Sequence, residues 1–182
     1  MTMQPLQNRH VHFTRDCAAT LVPDGTVTTI AAGMEARITQ ALGGSFTVYI
    51  EGNLFRIAGA DGDAIGKEPL PRPELPPGAT DEDVSRLVWD QLRTCFDPEI
   101  PVNIVDLGLV YDCSIQPAAD GARDVAVRMT LTAPGCGMGE VLVADVRDKL
   151  LMIPTVRQAN VELVFDPPWN HSMMSEVAKL ET

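Results

Sequence analysis

Apolar and polar positions alternate in short runs through the first third of the chain: CAATLV from Cys17, TVTTI from Thr26, EARITQAL from Glu35, SFTVYI from Ser45 and NLFRIA from Asn53. A period of two turns one side of each run toward a core and the other toward water, the signature of a half-buried strand. PDGT, ALGGS and EGN separate the runs, and their Gly, Asp and Asn residues are turn chemistry. The pattern predicts a small all-β domain of about five strands over residues 10–67, a barrel or a sandwich. His10 and His12 fall at its frayed start as i, i+2 neighbours, and without a third ligand they make no metal site.

Residues 68–79 break the pattern. Pro69, Pro71, Pro73, Pro76 and Pro77 crowd a stretch that neither helix nor sheet can absorb, which reads as a linker. Beyond it the period changes to that of a helix. Thr80 is a natural N-cap followed by Asp81, Glu82 and Asp83, and Val84, Leu87, Val88, Leu92 and Cys95 form one apolar stripe ending at Asp97-Pro98. The loop DPEIPVNIVDLG leads into the strand LVYDCSI, where Leu109, Tyr111, Cys113 and Ile115 alternate toward one face. PAADGA turns the chain into DVAVRMTLT, GEVLVADVRDKLLM has helical period and stops before Pro154, and NVELVF is a third strand. A terminal helix, MMSEVAKL, follows DPPWNHS. The fold class is α+β: an all-β N-terminal domain linked to an α-β-β-α-β-α sandwich over residues 80–182, with helices on one sheet face.

Charge narrows the function classes. A net charge of −11 repels phosphate, which argues against nucleic-acid and anionic-membrane partners. No apolar run approaches the ~20 residues that span a bilayer. The opening MTMQPLQNRH lacks the basic start and apolar core of a signal peptide, so the expected location is the cytoplasm. There the four cysteines, which form no C-x-x-C pair, are expected to be free thiols. Cys17, Cys95 and Cys113 continue apolar faces and read as small core residues.

Cys136 does not. It stands in LTAPGCGMGE, between a strand and a helix, with Gly135 and Gly137 on either side. A dinucleotide cradle would need a third glycine where Glu140 stands, and no phosphate-binding lysine is present. A thiol in the first turn of a helix fits better, because unpaired N–H groups and the helix dipole lower a cysteine pKa to roughly 3.5–7.5. Thr130 and Thr132 bring hydroxyls toward the same loop. Asp97, Glu99 and Asp106 share the loop before the sheet; carboxylates near a thiolate oppose its ionisation unless a metal or a donor intervenes, which points to metal chemistry.

DPEIPVNIVDLGLVYD together with MTLTAPGCGMGEVL resembles the SufT/PaaD-like family of iron–sulfur cluster assembly, and TQALGGSFTVYIEGNLFRIAG and DPPWNHSMMSEVAKL resemble the flanking signatures of its SufT branch. The resemblance implies a reactive cysteine in a T-x-x-x-C motif, here Thr132 and Cys136, and carries the acidic positions onto Asp97, Glu99 and Asp106. Gly137 stands where many relatives of the PaaD type have proline. The implied role is an accessory factor of a SUF-type system. Cys136 and Thr130 would bind the cofactor, a labile iron–sulfur cluster or iron with Cys136 as transient ligand. The implied partners are assembly proteins and iron–sulfur clients. Since clusters normally need four protein ligands, one open thiol per chain suits transfer or a homodimer, and a maturation factor more than a turnover enzyme. Two other readings stay open: a thiol redox enzyme, which needs a resolving cysteine, and an adaptor that docks clients through the β domain or Trp169.

Overall fold

The computed structural model describes residues 9–182 except 23, 42–44, 70–71, 98–99, 101 and 134–138. The chain divides into two compact units, residues 1–71 and 72–182. No helix among the described residues is long and apolar enough to cross a membrane.

The first unit holds β1 (Arg9–His12), β2 (Cys17–Val22), β3 (Val27–Ile30), β4 (Glu35–Gln40), β5 (Phe46–Ile50) and β6 (Asn53–Ile57), followed by a 3-10 segment, Gly59–Ile65. Where the sequence left barrel and sandwich open, the strands form one antiparallel sheet in the order β1-β4-β5-β6-β2-β3. Alternation works as expected: Ala36, Ile38, Val48, Ile50, Cys17, Ala19 and Ile57 point to one core with Phe13, Ile30, Ala64 and Ile65. One expectation is corrected. The histidines do not lie in a frayed start, because His10 and His12 pair opposite Arg37 and Glu35 as part of β1. Arg15 fastens the 3-10 segment, donating from Nε and Nη2 to Asp63 at 2.8 Å and from Nη2 to Asp61 at 2.9 Å. The same guanidinium holds the Asp63 carboxyl below its ordinary pKa.

The second unit runs α1 (Asp81–Leu92), β7 (Val110–Pro117), β8 (Arg123–Met129), α2 (Gly139–Leu151), β9 (Val156–Leu163) and α3 (Glu176–Glu181), the order the periodicity predicts. Its sheet is β7-β8-β9, with β7 and β8 antiparallel and β8 and β9 parallel. The parallel step needs a crossover, and α2 supplies it. Cys113, Val127 and Val161 sit in one cross-strand row beneath the helices, packed with Val84, Val88, Leu92, Val146 and Leu150.

Thr80 caps α1 through a full capping box: its hydroxyl accepts from the Asp83 N–H, and the Asp83 carboxylate accepts from the Thr80 N–H at 2.9 Å. The helix ends earlier than its apolar stripe suggests. Arg93 is the C-cap, and Cys95 reaches the same core from the turn that follows. What fixes this turn is a buried ion pair on α2. Lys149 Nζ lies 3.3 Å from Asp145 and donates to the Thr94 carbonyl at 2.7 Å, while Gln91 Nε2 donates back to the Lys149 carbonyl at 2.8 Å. A bulge between Val110 and Asp112 breaks the alternation of β7, so Tyr111 leaves the Cys113 row and lines an outer groove with Asp112 and Arg128.

Candidate functional site

The site lies where the loop after α1 meets the end of β8. Phe96 bridges to Asn103, and the Ile104 N–H donates to the Cys95 carbonyl at 2.9 Å, which folds the loop back on itself. Inside the fold Asp97 is only 2% exposed. Its Oδ1 accepts from the Ile100 N–H at 3.0 Å and its Oδ2 from the Thr132 hydroxyl at 3.3 Å. A carboxylate buried without donors would be costly, so these bonds fix both its place and its orientation. They also join two of the residues singled out in the sequence, one from each side of the site.

Asp106 is held separately. Asn103 Nδ2 donates to its Oδ2 at 2.6 Å, and Asn103 Oδ1 accepts from the backbone N–H groups of Val105 and Asp106. Asn103 was not singled out in the sequence; its signal is an asparagine in a loop, a residue whose side chain bonds the backbone N–H two residues on, here Val105, as an Asx turn. Thr130, by contrast, is 1% exposed and its Oγ1 has no hydrogen-bond partner among the described residues. A buried hydroxyl in that state is rare. Glu99 and Cys136 lie outside the described residues.

The residues bracketing Cys136 are defined. Thr132 precedes it on the Asp97 bond, and Gly139, the first residue of α2, follows it. Gly139 is buried so tightly that a Cβ there would sit 2.9 Å from Leu131 Cδ1. Glycine therefore lets α2 begin hard against the end of the sheet.

The other thiols are placed for packing. Burial, with a smaller push from Asp112, raises the Cys113 pKa to about 11, and burial raises that of Cys17. Cys95 is fully buried. Among the described residues no three His, Cys, Asp or Glu side chains gather to hold a metal ion.

Comparison with known proteins bears on the same region. The profile of the family described as "Iron-sulfur cluster assembly protein" matches residues 86–163, entirely within the second unit. An Fe-S protein maturation auxiliary factor of Porphyromonas gingivalis is 47% identical over 102 residues, 56% of this chain and 90% of that protein. The auxiliary factor YitW of Bacillus subtilis is 36% identical over 55% of this chain and 94% of its own length. The auxiliary factor SufT of Staphylococcus aureus is 40% identical over 47% and 92%. Sequence identity at this level over nearly the whole of three relatives leaves one conclusion: the chain belongs to the iron–sulfur cluster assembly protein family.

Proposed function

We propose that this protein is an accessory maturation factor that passes iron or an iron–sulfur cluster to client proteins in a SUF-type assembly system, with Cys136 as the thiolate that holds the cargo. The observation that carries the reading is the 47% identity to a maturation auxiliary factor across 90% of that relative. The geometry is in keeping with it: the buried Asp97 carboxylate is tied to Thr132, four residues before Cys136. In this reading Cys136 binds and releases, and Thr132 with Asp97 fixes the start of its loop. Asp106 and Glu99 supply oxygen ligands or proton acceptors, and the Thr130 hydroxyl donates to the bound cargo. A cluster is normally held by four protein ligands. With Cys17, Cys95 and Cys113 committed to cores, one chain offers one thiol, so the cluster is cargo in transit. A second copy of the chain would double the sulfurs. Assembly proteins and apo-clients are the partners, and the protein works as a factor, not by catalytic turnover.

Anaerobic reconstitution tests this directly. Wild type should take up iron with the absorbance of a labile cluster, Cys136→Ser should fall to background, and Cys113→Ser should keep its cluster if it stays folded. Equal iron in wild type and Cys136→Ser would remove the ligand assignment and leave the adaptor reading.

A further inference from the structure

The family profile ends at residue 163, yet the chain beyond it returns to the acidic loop. Segment 166–175 lies along the turn that carries Asp106, holding the turn at three points and the strand after it at a fourth. The Trp169 indole Nε1–H donates to the Leu107 carbonyl at 2.6 Å. The Ser175 N–H donates to the Asp106 carbonyl at 2.7 Å. The Tyr111 hydroxyl donates to the Pro167 carbonyl at 2.7 Å. Gly108, at φ +75°, packs so closely on the Met173 backbone that a Cβ there would overlap its carbonyl. Beyond the grip, Met174 and Ala178 are buried in the core, which anchors the segment from its far side.

These contacts do more than cover surface. A tight turn leaves carbonyls that its own N–H groups cannot reach, and burying them unpaired is costly. Within the turn, the Leu107, Gly108 and Leu109 N–H groups bond back to Asn103, Val105 and Ile104. The carbonyls of Asp106 and Leu107 take their bonds from the returning segment instead. The Asp106 carbonyl is therefore held by the C-terminal segment, and its N–H and carboxylate by Asn103.

We propose that segment 166–175 is a clamp that positions Asp106, with Trp169 as the positioning residue, so that the site extends past the family profile to residue 175. The functional half of this inference rests on the maturation reading above. The holding of the turn does not.

Full-length Trp169→Phe keeps an aromatic ring and removes the indole donor. Amide exchange of Leu107, Gly108 and Leu109 should quicken about tenfold or more, while amides of β8 stay as in wild type. Iron retained after anaerobic reconstitution should fall in Trp169→Phe as it does in Asp106→Asn, and the double variant should fall no further. A purely structural role would give additive losses. Unchanged exchange at the turn overturns the clamp, and additive losses or full iron retention in Trp169→Phe overturn the positioning role. If Trp169→Phe does not fold, Tyr111→Phe weakens the same grip at its edge and should move exchange and iron in the same directions; no movement there would equally overturn the proposal. A wild-type protein that takes up no iron would sink the maturation reading, and the positioning role with it, while exchange still decides whether the segment holds the turn.

Discussion

At the scale of single residues, burial sorts the thiols. Alkylation proceeds through the thiolate, so a cysteine reacts in proportion to its ionised fraction and its access to solvent. Cys113, pushed up to about 11 chiefly by desolvation, is ionised to only a trace at pH 7 and should quicken about tenfold per pH unit until that value is approached. Cys17 shifts in the same direction for the same reason, and Cys95 is fully buried. Site-resolved mass spectrometry at pH 7 should therefore find Cys136 alkylated first. If Cys136 lags behind any of the three, the reactive-thiol reading fails. Asp97 supplies the companion test. A carboxylate that reaches a thiol opposes its ionisation, so if Asp97 converges on the cysteine loop, Asp97→Asn should speed Cys136 alkylation at neutral pH. An unchanged rate would mean that the carboxylate, though bonded to Thr132, does not act on the sulfur.

Among the elements, α1 shows what is legible locally. Its N-cap, Thr80, is legible in the sequence, the structure adds the reciprocal bond to Asp83, and Thr80→Ala should cost about 1 kcal/mol in chemical denaturation. The hydrogen bonds from Thr80 hold the Asp83 carboxyl below its ordinary value. Because the folded pKa is the lower one, the contribution is complete above the unfolded pKa of ~3.9 and fades as pH falls through the folded value. Asp83→Asn should thus flatten the acid limb of the stability profile and lower its neutral and alkaline side by a pH-independent amount. The turn at Gly108 is a stricter case: Gly108→Ala adds left-handed strain and a backbone clash with Met173, about 2–5 kcal/mol together, read as a lowered Tm. Less was legible where long-range partners decide. β1 has a single apolar residue, Val11, inside RHVH, and only pairing with β4 makes it a strand. The stop of α1 at Leu92 depends on Lys149 taking the Thr94 carbonyl from a helix far along the chain. In the site, residue types and spacing pointed to Asp97 and Thr132. The grip of Trp169 on the Asp106 turn depends on carbonyl directions, which a sequence does not display.

For the whole molecule, the two hydrophobic clusters have no residue in common. One runs from Phe13 to Ile65 and the other from Val84 to Ala178. Each unit thus buries its own apolar surface, the physical condition for independent folding. The family profile falls on the second unit alone, so the proposed cluster chemistry is assigned to that unit and not to the six-stranded sheet. We expect limited proteolysis of the full chain to cut first within residues 68–79, where prolines exclude regular structure. The C-terminal product should keep its cooperative unfolding, its iron uptake and the alkylation rate of Cys136, because every contact described around Asp97, Thr132 and Asp106 comes from residues 95–175. We propose partner choice for the first unit, so the C-terminal product should discriminate more poorly between an apo-client and an unrelated apo-protein. A C-terminal fragment that unfolds on release would show that the units depend on each other, and one that discriminates as well as the intact protein would place partner choice beside the thiol instead of in the first unit.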